Sequence, residues 1–302
     1  MADSTAFVSD RAEASGDGSS LEAVRAVLDD RPGLMPLMGE VRQAERLPGL
    51  SNSVFGVVAE HGAFVLRVPA AKSAGLIDRQ GEHHNLCLAA RAGLAVEPLF
   101  FDEEDGLMLM QRKAIAKGTV EPLALGKLIA GLHGLDGTFQ GTLDLPGLLR
   151  SLLKSAARTG SFASELTVIR TVLHGLPEMG TANPSGLVRS HCDLSPGNIL
   201  KTTDGLQLID FEFSAMAPPE WDLAYALLEN EMEGPAQSAF LEGYRASGGH
   251  LPEASSLQEM MQRCDAVSAL WALEQAGLGN TRTDFPTFAK ARIKRMRERA
   301  AL

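Results

Sequence analysis

The apolar pattern of this chain changes texture at Val41 and again near residue 111, and those changes limit the folds open to it. Val41–Leu47, Ser53–Ala59 and residues 63–68 read as three strands, short runs bounded by turn residues. A tight turn at Glu60-His61-Gly62 joins the last two runs, and the small residues of 48–53 join the first two. Residues 78–92 then read as a helix, with Leu86 and Leu88 among its apolar positions. Two more strands, over 96–101 and 107–110, bracket a turn at 102–106. After about residue 111 the apolar residues recur at helical spacing, over 123–135, 147–157, 162–176, 221–232, 235–247, 255–277 and 284–300. One strand-loop-strand unit, between Gly186 and Phe213, interrupts that run.

The pattern predicts an α+β chain without internal repeats. Residues 1–20 form a small, polar tail, followed by an amphipathic helix at 21–28 that Arg31-Pro32-Gly33 ends. Residues 21–111 form a small lobe, a mainly antiparallel sheet with one inserted helix. Residues 112–302 form a larger, mainly helical lobe that holds the strand-loop-strand unit. With 302 residues and 45% hydrophobic content, the chain can bury a sizeable core.

Composition excludes several functions. Lys and Arg number 28 against 38 Asp and Glu, a net charge of −10 that argues against a nucleic-acid-binding face. The first twenty residues lack the apolar stretch of a signal peptide, and no apolar run is long enough to cross a bilayer, so membrane insertion is not expected. Cys87, Cys192 and Cys264 are scattered, which argues against a disulfide framework or a zinc site and fits a reducing cytoplasm.

The stretch that carries chemistry is His191-Cys192-Asp193-Leu194-Ser195-Pro196-Gly197-Asn198-Ile199-Leu200, followed by Leu208-Ile209-Asp210-Phe211-Glu212. Asp193 and Asn198 flank a loop containing Pro196-Gly197. Asp210 ends an apolar strand whose partner is Ile199-Leu200, with the turn at Thr203-Asp204-Gly205, so a hairpin brings Asp210 back beside Asn198. Two carboxylates and an amide suit Mg²⁺, which keeps waters and takes its other ligands from phosphates. Asp, then Asn, then Asp after a strand is the order of kinase-type phosphoryl transfer: the first accepts the hydroxyl proton, the others hold metal. The plainer reading is a turn with capping residues; the spacing and the flanking apolar strands weigh against it. His191 reads as a buried residue that shapes the loop, and Cys192 as packing.

The first lobe should then bind ATP. It lacks both the GxxxxGK[ST] loop and the GxGxxG loop. Gly49-Leu50-Ser51-Asn52-Ser53, at the tip of a hairpin, is either a plain turn or a phosphate cradle built on backbone N–H groups. Arg67, a cation in an otherwise apolar strand, stands where kinases hold ATP phosphates, with Glu82 of the next helix as its ion-pair partner. A snorkelling strand arginine and a solvated helix glutamate are the alternatives.

These residues resemble the aminoglycoside phosphotransferase and choline kinase superfamily, closest to its bacterial choline/ethanolamine kinase-like branch. The segments that carry the resemblance are GLSNSVFGV at 49–57, FVLRVP at 64–69, LIDRQGEHHNL at 76–86, HCDLSPGNIL at 191–200, LIDFEFSAMAPPEWDLA at 208–224, SALWALEQ at 268–275 and FAKARIKR near the end. The resemblance implies a bilobal, protein-kinase-like fold. It implies Asp193 as catalytic base, Asn198 and Asp210 as Mg²⁺ ligands, Arg67 and Glu82 as the phosphate-holding pair, and Ser51 and Asn52 in the nucleotide loop. It places Glu212 near the metal, Asp222 as an anchor of the catalytic loop, and the adenine-holding hinge near Met110–Arg112.

An amino alcohol as acceptor calls for aromatic faces and a carboxylate. The candidates among 2 Trp, 2 Tyr and 12 Phe are Trp271, Tyr225, Tyr244 and Trp221, with Glu229 as the acid. Tyr225 and Glu229 are four residues apart and share a helix face. By resemblance Glu229 and Trp271 line the choline site; ordinary helix packing and a solvated helix face are the alternatives. Family members can carry a second aromatic shortly before Trp271, where this chain has Ser268, which leaves room for ethanolamine or another amine. The expected function is therefore a choline/ethanolamine kinase using ATP and Mg²⁺. The alternatives are a kinase for thiamine, an amino sugar or an aminoglycoside, or a nucleotide-binding module without catalysis. The ten or so residues between Asp210 and Trp221 are too few for a regulated protein-kinase activation loop.

Overall fold

The structure, a computed structural model, describes residues 18–48, 52–69, 77–158, 160–178 and 186–300. In chain order its elements are α1 (Gly18–Asp30), α2 (Met35–Met38), β1 (Val41–Leu47), β2 (Ser53–Ala59), β3 (Gly62–Val68), α3 (Arg79–Arg91), β4 (Pro98–Phe101) and β5 (Met108–Gln111). Then come α4 (Pro122–His133), α5 (Leu145–Arg158), α6 (Ala163–His174), β6 (Val188–Ser190), β7 (Ile199–Thr202), β8 (Gly205–Leu208) and β9 (Ala215–Ala217). The chain ends in α7 (Pro219–Glu229), α8 (Pro235–Ala246), α9 (Ala254–Gly277) and α10 (Phe285–Ala300).

Two compact units emerge. The first runs to Val120 and also takes in Gly197–Phe213; the second is Glu121–Pro196 with Ser214–Leu302. The first contains an antiparallel five-stranded sheet in the order β1-β2-β3-β5-β4. The β2–β3 turn needs only Glu60 and His61, because Ala59 already pairs with Gly62. Gly62 has φ +142°, a backbone shape that side chains disfavour. One face of the sheet buries Phe55, Val57, Phe64, Leu66 and Leu109 against Val24 and Leu28 of α1, Leu34, and Met38 of α2. Period-two alternation turns Arg67 to the opposite face from Leu66.

The β7–β8 hairpin belongs to this unit although the chain reaches it from the helical part. Its outer edges are hydrogen-bonded to the first unit's backbone: Leu208 N donates to Leu94 O at 2.8 Å, Val96 N to Leu208 O at 3.2 Å, and Ala116 N to Lys201 O at 2.7 Å. Such ladders satisfy backbone groups without any side-chain signature.

The second unit is helical around the long α9. One face of α9 (Ala266, Ala269, Leu270, Leu273) buries Leu152 and Ala156 of α5, Leu166 and Ile169 of α6, and Phe285, Ile293 and Met296 of α10. A small β6–β9 ladder belongs to the same unit, with β6 against α4 and α7. The strand β9 was not expected: Ala-Met-Ala is too short to show a period.

α4 and α8 approach closely through two glycines. A Cβ at Gly126 would strike the Phe240 carbonyl, and one at Gly243 would strike the Leu123 carbonyl. Helix propensity alone favours Gly→Ala by about 1 kcal/mol. The clash should outweigh it, because forced overpacking costs about 1–3 kcal/mol. Gly243→Ala is thus expected to lower the urea midpoint at constant m value; a midpoint at or above wild type would contradict this packing.

Candidate active site

In the first unit a buried ionic network forms around Arg67, which is 4% exposed. Its Nη1 donates to Glu82 Oε1 at 2.5 Å and to Asp210 Oδ1 at 3.2 Å, and its Nη2 to the Gly106 carbonyl at 3.0 Å. Burial alone would lower the Arg67 pKa, but the charges of Glu82, Asp210 and Glu212 hold it above its ordinary value. Both expected partners therefore meet. Asp78 caps α3 by accepting from Gly81 N at 2.9 Å, which fixes the helix start and with it the position of Glu82.

A second arginine, read only as part of the 76–86 motif, joins them. Arg79 donates to Glu82 Oε2 at 2.6 Å and lies 3.4 Å from Glu212 Oε2, which Asn52 Nδ2 also reaches at 3.3 Å. Gly106, at φ +86°, allows the approach: a Cβ there would strike the Arg79 guanidinium. Arg67 Nε and Asn52 Oδ1 are buried and find no partner among the described residues. Such orphaned groups are costly, and here one is a cationic donor of the kind a phosphate oxygen satisfies. Ser51 lies outside the described residues. Met110 is buried in β5, paired with Val65, and the chain leaves the sheet one residue later at Gln111.

The hairpin places two further residues of this unit together. Ile199 pairs with Leu208, and Ile209 N donates to the Asn198 carbonyl at 3.1 Å, so Asn198 and Asp210 flank one corner. Asp210 adopts φ +65°, an uncommon left-handed conformation for a residue other than glycine. It keeps a third of its side chain exposed. Among the described residues no three His, Cys, Asp or Glu side chains converge as a metal cage. One carboxylate and one amide oxygen do fit an ion that takes its remaining ligands from water and phosphate, as Mg²⁺ does.

In the second unit the loop that carries Asp193 is held from below by Asp222, which is fully buried. Asp222 Oδ2 accepts from His191 N at 2.8 Å and Oδ1 from Cys192 N at 2.9 Å. Cys192, at φ +65°, turns these successive N–H groups toward one carboxylate. His133 Nε2 lies 3.1 Å from the same carboxylate, and its Nδ1 is 2.8 Å from the Tyr244 hydroxyl. Trp221 Nε1 donates to the Cys192 carbonyl at 3.1 Å, and Asn230 Nδ2 to Leu194 O at 3.1 Å. The anchoring role expected of Asp222 is thus visible in full, while His133 and Asn230 carried no sequence signal. His191 is buried and its Nδ1 takes the Asp193 N–H at 3.3 Å. Burial lifts the thiols of Cys192 and Cys264 well above their usual range, so both stay protonated packing groups.

The acceptor candidates also lie in this unit. Tyr225 stacks on Trp221 at 6.1 Å. Burial raises the Tyr225 pKa, and the neighbouring Asp193 and Glu229 charges add to it. Asp193, Tyr225 and Glu229 therefore share one neighbourhood. Trp271 gains aromatic company from α10, edge-on to Phe285 at 5.4 Å and to Phe288 at 6.4 Å. Trp221 and Tyr244 are buried at 3% and 2% exposure, so their rings belong to the interior. The Glu229 carboxylate is already engaged, by Arg292 at 2.5 Å and Arg295 at 3.5 Å.

Fold and motif together define the class: a kinase-type, ATP-dependent phosphotransferase with an alcohol group as acceptor, on a protein-kinase-like fold. The chain belongs to the phosphotransferase enzyme family, whose model matches residues 43–260. It is 29% identical over 194 residues to protein LicA of Haemophilus influenzae, covering 60% of this chain and 71% of that protein. It is similar to a choline/ethanolamine kinase family protein from Mesorhizobium loti, with TM-score 0.70 and 26% identity over 93% of this chain and 94% of that one. It shares its fold with choline kinase LicA from Streptococcus pneumoniae, at TM-score 0.75 and 21% identity over 93% of this chain and 99% of that one. Among the described residues no helix is long and apolar enough to cross a membrane.

Proposed function

We propose that this enzyme transfers the γ-phosphoryl group of ATP to a small amino alcohol, choline or ethanolamine. The likeness over nearly the whole chain to a choline/ethanolamine kinase family protein carries this reading. Asp193 takes the proton of the acceptor hydroxyl as its oxygen attacks the γ-phosphorus. Arg67, kept in place by Glu82 and the Gly106 carbonyl, directs its guanidinium at the phosphate oxygens. Asn198 and Asp210 would hold Mg²⁺, which supplies positive charge against the transferred group. Ser51, Asn52 and Met110 contribute to the nucleotide site, and Tyr225, Glu229 and Trp271 to the acceptor site. The need for ATP, together with three free thiols, fits the reducing cytoplasm.

The test is ADP release from ATP with choline, ethanolamine, thiamine, glucosamine, kanamycin or no acceptor, each with Mg²⁺ and with excess EDTA. Choline or ethanolamine should raise the rate, and EDTA should abolish the rise. A rate that responds only to another acceptor would discard the amino-alcohol assignment, and activity indifferent to EDTA would discard the metal.

A further inference from the structure

The Glu229 carboxylate belongs to a buried ionic cluster in which α10 supplies three arginines. Arg295 is tied down several times over: it pairs with Asp265 through Nε and Nη2 and donates to the Leu228 carbonyl at 2.9 Å. Arg299 binds Asp265 Oδ2 at 2.8 Å. Arg292 differs. Its only polar partner among the described residues is Glu229 Oε2, at 2.5 Å, and its Nε is buried with no partner. Its guanidinium lies over the Phe288 ring at 4.3 Å, and Phe288 packs against Trp271. A carboxylate on one side and an aromatic face on the other are the two features that hold an organic ammonium ion. Here the chain's own cation occupies them.

We propose that Arg292 is an internal competitor for the cationic end of the acceptor, and that an amino alcohol binds by exchanging its ammonium group for the Arg292 guanidinium at Glu229 and Phe288. The proposal rests on the amino-alcohol reading above. Exchange of one cation for another leaves Glu229 paired throughout, so it avoids the cost of exposing a lone buried carboxylate. Arg292 is the member that can leave, because its departure breaks one ion pair and one ring contact while Arg295 and Arg299 keep α10 in place. It is 16% exposed, so its head is already at the edge of water. The net gain from acceptor binding is then a difference between two cations, and selectivity depends on how well the incoming one outcompetes arginine.

The experiment compares wild type with Arg292→Met, Arg292→Gln and Glu229→Gln. It measures kcat and KM for choline and ethanolamine, and calorimetric binding of tetramethylammonium, which cannot be phosphorylated. Removing the competitor should lower the amino-alcohol KM about tenfold, equivalent to loss of one competing ion pair. The KM for ATP should not move, and tetramethylammonium should bind correspondingly tighter. Glu229→Gln should weaken both amino alcohol and tetramethylammonium. A KM and a tetramethylammonium affinity that stay unchanged or worsen in both Arg292 variants would overturn the proposal, and so would failure of both variants to fold. If wild type phosphorylates only an uncharged acceptor, the amino-alcohol reading falls. Tighter tetramethylammonium binding in the Arg292 variants would still support the exchange, and unchanged binding would overturn it as well.

Discussion

Asp193→Asn is expected to lower kcat by about 10²–10⁴-fold, the usual contribution of a positioned general base. The amide keeps the size of the carboxylate but cannot take a proton. Arg67 and Glu82 lie in a different unit from Asp193, so the KM for ATP should stay close to wild type. The loop should keep its shape as well, because Asp222 still holds the backbone N–H groups of His191 and Cys192. Equal falls in kcat and kcat/KM would mark an interaction made only in the transition state. A kcat within a few-fold of wild type would take the base role away from Asp193.

Asp222→Ala should have the largest effect on stability. It leaves two backbone N–H groups and the His133 ring without their acceptor in a fully buried place. Removing one member of a buried charged network costs about 3–5 kcal/mol. Cys192 would lose the interaction that holds its left-handed backbone, so the loop should relax and kcat should fall as well. Asp222→Asn retains one acceptor oxygen and should fall between wild type and Ala. Urea unfolding and steady-state kinetics on both variants check this; an Asp222→Ala midpoint equal to wild type would refute the anchoring role.

Much of the architecture could be read from the chain. The strand runs ending at Ala59 and Val68 follow from short Val- and Phe-rich runs bounded by turn residues, and the helices from Pro122 onward from apolar period, because burial of one helix face imposes it. The hairpin turn that returns Asp210 beside Asn198 was readable too, from Thr203-Asp204-Gly205 between short apolar runs. The helix at Arg79–Arg91 begins where Asp78 can cap it. By contrast, α2 and β9 are too short to carry a period, and the docking of the β7–β8 hairpin onto residues 94–96 and 115–116 rests mainly on backbone hydrogen bonds, joined by one from Gln207 Nε2 to the Ala95 carbonyl.

The residues of the candidate site divide in the same way. Asp193, Asn198, Asp210, Arg67 and Glu82 were identifiable because their chemistry demands particular residue types at short spacing or on adjacent elements. Local sequence alone determined those identities and the order in which they occur. Tertiary structure alone decided who pairs with whom at long range: His133 with Asp222, Arg79 with Glu212, and Arg292 with Glu229. α10 shows the reason. It carries Lys290, Arg292, Lys294, Arg295, Arg297 and Arg299 in close succession, and only packing against α7 and α9 turns Arg292, Arg295 and Arg299 onto buried carboxylates. A cation's sequence position states its charge; the desolvated partner that gives that charge a function comes from another part of the chain.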